Sequence, residues 1–137
     1  MTSQERLAIA VVDDDGDVRR ALERLLRSMG HDVRVFASAE EFDAQQAVFD
    51  CLILDLRLPG LSGLELSERL ALRGSRLPVV LITGDSEPLK PENRHELGHP
   101  LLAKPFSAEE LIEAIARAMS AAREPERPHM PAGSTRG

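Results

Sequence analysis

Three short stretches of the chain are apolar at almost every position: LAIAVV (7–12), VFDCLIL (48–54) and PVVLIT (78–83). A strand with one wet face alternates apolar and polar residues. A run without alternation suits a strand buried on both faces. Such strands belong to sheets covered on two sides, which leaves few architectures open. The runs also end alike, on a polar group: Asp13, Asp55 and Thr83. A carboxylate at the end of a dry strand is costly unless a partner or a cation compensates it.

Helical patterns lie between the runs. Val18, Leu22, Leu25, Leu26 and Met29 form one apolar stripe, and Gly30 follows as a stop. HDVRVF (31–36) alternates in part and reads as a more exposed strand. Ser-x-x-Glu recurs at Ser38–Glu41, Ser62–Glu65 and Ser107–Glu110. In that pattern the two side chains satisfy free amides at a helix start. Leu64, Leu66, Leu70 and Leu72 fall in the helix after the second pair, which Gly74 ends. LLA (101–103) is a short further strand before Lys104-Pro105. Leu111, Ile112, Ile115 and Met119 mark a last helix, from Ser107 to about Ala121.

The order is strand then helix, repeated, which predicts a parallel sheet with helices on both faces. Residues 84–99 should supply the fourth helix of the repeat. They hold Pro88 and Pro91 and few apolar groups, so that helix is expected to be short or irregular. Residues 1–122 then form one domain. Arg123 and the EPERPHMPAGSTRG after it are expected to form a disordered tail, 123–137.

In a parallel sheet the strand ends collect on one edge, where sites form. That edge would gather Asp13, Asp14, Asp55, Thr83 and Lys104. Three close carboxylates repel and call for a cation. An all-oxygen set with room for water suits Mg²⁺. No His or Cys stands at these strand ends, which argues against zinc. A metal, an ammonium and a hydroxyl around one carboxylate make a phosphoryl site, in which the carboxylate can be the nucleophile. Asp15 and Asp17 read as turn or helix-start residues. The net charge of −6 argues against nucleic-acid backbones and acidic membranes as partners. No signal peptide or membrane-length apolar run is present, and Cys51 reads as a buried, reduced thiol. The expectation is a soluble, cytoplasmic protein.

VVDDD (11–15), LILDLRLPG (52–60), VVLITG (79–84) and LAKPF (102–106) stand in one order and spacing: 41 residues from Asp14 to Asp55, 28 to Thr83 and 21 to Lys104. Over residues 7–121 the chain resembles the receiver domains of two-component response regulators, of the CheY-like fold. LDLRLPG…SG and ITG resemble the FixJ-type branch. The resemblance implies five parallel strands in the order 2-1-3-4-5. It implies Asp55 as phosphoacceptor, with Mg²⁺ held by Asp13, Asp14, Asp55 and the backbone carbonyl of Arg57. Thr83 and Lys104 would contact the phosphoryl group, and Lys104-Pro105 would be a cis peptide. Two positions depart from the pattern. Leu101 replaces the usual aromatic three residues before the lysine, and the 84–99 helix is degraded.

The function expected is that of a single-domain response regulator, a signalling protein rather than an enzyme. It would be phosphorylated in a phosphorelay by a histidine kinase or a histidine phosphotransfer protein. It would act as a phosphoryl shuttle or sink, or by binding a downstream partner protein, without nucleic acid or membrane. Met1, and a chain ending about 16 residues after the last helix, suggest a free-standing protein. Leu101 and the short helix suggest a monomer that does not dimerise on phosphorylation. Two alternatives stand beside this reading. An unphosphorylated receiver-like binding module would bind no Mg²⁺ at millimolar metal. An aspartate-nucleophile phosphatase of the haloacid dehalogenase type needs a second aspartate two residues after the first, where this chain has Arg57. Arg57 and Asp85 flank the site and could tune hydrolysis.

Overall fold

A computed structural model describes residues 6–84 and 98–123. The expected 84–99 helix, the expected 123–137 tail and Asp85 therefore lie outside the described residues, apart from a few at their margins. The described chain runs β1 (Ala8–Val12), α1 (Gly16–Ser28), β2 (Asp32–Phe36), α2 (Ala39–Ala44), β3 (Cys51–Asp55), α3 (Gly63–Leu72), β4 (Val79–Thr83), β5 (Leu101–Ala103) and α4 (Ala108–Arg123). The sheet is parallel throughout, in the order β2-β1-β3-β4-β5, as the resemblance implied.

Pleating explains why β1, β3 and β4 needed apolar residues at every step. Odd positions Ile9, Val11, Cys51 and Ile53 pack with Leu22 and Leu26 of α1 and Leu111 and Ile115 of α4. Even positions Ala10, Val12, Leu52 and Leu54 pack with Phe42 of α2 and Leu66 of α3. On β4 the parity reverses: Val80 and Ile82 join the first layer, Val79 and Leu81 the second. Each fully buried Leu or Ile contributes about 1.5–3 kcal/mol. β2 and β5 are the edges, and β2 keeps the partial alternation read from HDVRVF.

The helix starts follow their Ser-x-x-Glu pairs with one variation. At α3 and α4 the exchange is complete: Ser62 and Ser107 accept from Glu65 and Glu110 amides and donate their own to those carboxylates. At α2, Ser38 accepts from the Glu41 amide, but Glu41 turns back one residue further and accepts from Ala37. α1 is capped by Asp15, whose carboxylate accepts from the amides of Asp17 and Val18. Asp17 is exposed and paired with Arg20.

One sequence expectation needs correction. The second apolar run begins at Val48, but β3 begins at Cys51, and Val48 is 89% exposed. Leu64, Leu66, Leu70 and Leu72 all lie in α3, as the pattern predicted; Leu66 and Leu70 face the core and Leu64 and Leu72 are exposed.

Candidate functional site

The register fixes how the strand ends meet. Val12 pairs with Leu54, so Asp13 comes level with Asp55. The Asp13 amide still donates to Phe36 at 3.2 Å, which holds the residue in line with β1. Asp55 pairs with Ile82, and Thr83 with Ala103. Lys104 is therefore one step above Thr83, and its amide donates to the Thr83 carbonyl at 2.8 Å. Lys104-Pro105 is a cis peptide.

Asp13, Asp14 and Asp55 bring carboxylate oxygens within 4.8 Å of one another. Asp13 and Asp55 are buried and Asp14 is exposed, so the cluster opens to solvent on one side. Lys104 Nζ lies 3.1 Å from Asp13 Oδ2 and 3.6 Å from Asp55 Oδ2. Asp13 Oδ1 accepts from the Asp15 amide (2.9 Å), and Asp55 Oδ1 from the Arg57 amide (3.1 Å). Each buried carboxylate thus has one backbone donor and a share of one ammonium. A single positive charge does not balance three negative ones at this distance. The all-oxygen donor set, open on one side, fits a hard divalent cation such as Mg²⁺.

Burial pushes the Asp55 carboxyl up to about 6, and the charge on Asp13 adds to the rise, while the Arg57 amide and Lys104 oppose it. Burial works against the Lys104 ammonium. The Asp13 hydrogen bond and the charges of Asp13 and Asp55 outweigh it, so the lysine is raised overall. Burial, with a smaller push from the charge on Asp50 and against the Leu52 backbone, raises the Cys51 thiol to about 12, which keeps it protonated and inert.

Thr83 is buried at the end of β4, but its parity is opposite to that of Asp55. Its hydroxyl donates to the Gly84 carbonyl at 3.4 Å. It borders a shallow depression of about 490 Å³ shared with Arg57, Leu58, Pro59 and Leu64. The structure therefore joins Asp13, Asp14, Asp55 and Lys104 directly and sets Thr83 beside them. A larger hollow, about 560 Å³, lies at the other end of the strands, bordered by Asp50 and Pro78, away from the carboxylates.

Two supporting residues escaped the sequence reading. Arg19 of α1 donates to the Asp13 carbonyl at 2.8 Å, bracing the turn that carries Asp13 and Asp14. Gly63 opens α3 directly against the end of β3. A Cβ there would fall 1.9 Å from the Asp55 carbonyl oxygen and 2.9 Å from Leu56 Cα. Only a residue without a side chain lets α3 approach the strand so closely. An Arg at helical spacing carries no sequence signal of its contact, and the SG dipeptide, part of the family motif, does not show how closely α3 approaches β3.

Proteins of similar sequence and fold are response regulators. The sequence profile of the response regulator receiver domain matches residues 9–116. The response regulator protein TmoT of Ectopseudomonas mendocina is 38% identical over 125 residues, covering 89% of this chain and 56% of that protein. Nodulation protein W of Bradyrhizobium diazoefficiens is 39% identical over 113 residues, covering 80% and 50%. Among solved structures, full-length FixJ from B. japonicum superposes with a TM-score of 0.75 at 32% identity, covering 88% of this chain and 61% of that one. Response regulator StyR gives 0.72 at 36% identity, covering 84% and 60%. The chain spans about half the length of the curated relatives it matches. Receiver domains bind Mg²⁺ at an acidic pocket and are phosphorylated by histidine kinases. With its strand order, its acidic edge and this match along most of its length, the chain belongs to the response regulator receiver domain family.

Proposed function

We propose that Asp55 accepts a phosphoryl group from a phosphohistidine of a histidine kinase or a histidine phosphotransfer protein, and that Mg²⁺ assists. The observation that carries this reading is the cluster itself: three carboxylates with oxygens within 4.8 Å and Lys104 3.6 Å from Asp55. Asp13, Asp14, Asp55 and the Arg57 backbone carbonyl would hold the cation. When bound, the cation supplies charge neutralisation at the carboxylates and at the transferring group.

In the transfer, an Asp55 carboxylate oxygen attacks phosphorus, the bond from phosphorus to the donor's imidazole nitrogen breaks, and that nitrogen leaves with the electron pair. The Arg57 amide holds Oδ1, so Oδ2, on the Lys104 side, is the oxygen free to attack. Lys104 then has two roles. Before transfer it offsets Asp13 and Asp55, and afterwards it can pair with a phosphoryl oxygen. Thr83 would reach the phosphoryl group only by giving up its present bond to Gly84, which makes it a candidate to move on phosphorylation. The domain is read as residues 1–122, a phosphoacceptor signalling module that assists its own phosphorylation and dephosphorylation.

Incubation with Mg²⁺ and a small-molecule phosphodonor, followed by intact-mass measurement, tests this. Wild type should gain one phosphoryl group and Asp55→Asn none. Equal behaviour of the two proteins would count against Asp55 as the acceptor.

A further inference from the structure

The loop from Leu56 to Ser62 joins Asp55 to α3 and carries the Arg57 carbonyl. It is anchored near its start by the Leu56 amide on the Ile82 carbonyl (2.9 Å) and the Arg57 amide on Asp55 (3.1 Å). It is closed at its far end by the Gly63 amide on the Leu56 carbonyl (3.1 Å). Between these anchors it is reached from a different element. Glu40, in the first turn of α2, accepts from the Leu61 amide with Oε2 at 2.8 Å. Gly60 stands next to this bond with a φ of +74°, and a Cβ there would lie 2.5 Å from the same carboxylate oxygen. The Glu40 carboxylate therefore occupies the space over Gly60 that a side chain would fill. The Leu61 amide, and next the Glu40 amide itself, hold its carboxyl below the ordinary range, which keeps it an ionised acceptor at neutral pH.

We propose that Glu40 is a positioning residue for the phosphorylation site: through Leu61 and Gly60 it clamps the 56–62 loop, and so sets where the Arg57 carbonyl meets the cation. This rests on the reading of the site given above. Residues that orient metal ligands through hydrogen bonds are commonly worth an order of magnitude in metal affinity. Glu40 acts one loop removed, so its loss should cost less.

The test compares wild type, Glu40→Ala and Glu40→Gln. Calorimetric Mg²⁺ titration should show affinity about fivefold weaker in the Ala variant, the effect of one net hydrogen bond. The Gln variant keeps an acceptor oxygen and should bind nearly as wild type does. Phosphorylation of the Ala variant by a small phosphodonor should be slowed at low Mg²⁺ and recover at saturation. Hydrogen exchange at the Leu61 amide in chelator should accelerate in the Ala variant and not in the Gln variant. An Ala variant within about twofold of wild type in Mg²⁺ affinity overturns the inference, as does a Gln variant that falls as far as Ala. Wild type that binds no Mg²⁺ at millimolar metal would instead sink the reading of the whole site. The Leu61 exchange result would then still report the clamp separately.

Discussion

Asp55→Asn should make the metal-free protein more stable at neutral pH, although it removes the group on which the function depends. In the folded protein the carboxyl sits at about 6 rather than 3.8, with burial as the main cause. In the unfolded chain it returns to its ordinary value. Below about pH 4 it is protonated in both states and costs nothing. Above about pH 6 it is ionised in both, and the folded state carries the full cost of the buried charge. In between, the unfolded state binds fewer protons, so wild-type stability falls as pH rises. A gap of about two pH units is worth about 3 kcal/mol at most. The cluster opens to solvent at Asp14, and screening there reduces the figure to about 1–2 kcal/mol. Asparagine keeps an oxygen for the Arg57 amide, its NH2 group has the neighbouring Asp13 carboxylate to donate to, and Lys104 keeps Asp13. Urea denaturation in chelator at about pH 7.5 and pH 4 measures the difference. The variant should gain about 1–2 kcal/mol at the higher pH and almost nothing at the lower. A gain of equal size at both values, or a loss at the higher, refutes the claim that buried charge is what Asp55 costs the fold.

Gly63→Ala should cost at least about 1–3 kcal/mol, because a methyl group 1.9 Å from the Asp55 carbonyl cannot be accommodated by side-chain motion alone. Thermal melting of the variant reads this, and an unchanged midpoint would show that α3 can retreat from β3 freely. Lys104→Met leaves Asp13 and Asp55 without their ammonium, so the metal-free variant should lose about 1–2 kcal/mol at neutral pH. Added Mg²⁺ should return most of it in a denaturation experiment; no return would separate the lysine from the cation site. By size exclusion the protein should elute as a monomer with and without a phosphoryl mimic. A dimer appearing with the mimic would overturn the expectation drawn from Leu101, a half-buried residue that packs on the α2 and α3 side of the sheet.

The sequence revealed the site better than it revealed what supports the site. Asp13, Asp55 and Lys104 were legible only jointly: each alone has an ordinary explanation, as a cap, a loop residue or a solvated charge, but a parallel sheet sends all these strand ends to one edge. The five-strand order needed the family resemblance, since periodicity identifies strands but not neighbours. Glu40, Gly63 and Arg19 were not legible as parts of the site. Glu40 reaches a loop 21 residues away, and its spacing along α2 is that of any exposed helical glutamate. The role of Gly63 depends on how closely α3 approaches β3, a distance no local pattern encodes. The start of β3 was misplaced because Val48 and Phe49 look like strand residues. Val48 instead stays exposed in the preceding loop, while Phe49 folds back against the rings of Phe36 and Phe42.

The most direct measurement is to locate the modified residue. After incubation with Mg²⁺ and a phosphodonor, borohydride reduction converts an aspartyl phosphate to homoserine at that position, and peptide mass mapping finds it. The account predicts homoserine at Asp55 alone, in wild type and in Glu40→Gln alike. Homoserine at Asp13 or Asp14, or at no position in protein shown by calorimetry to bind Mg²⁺, would contradict it.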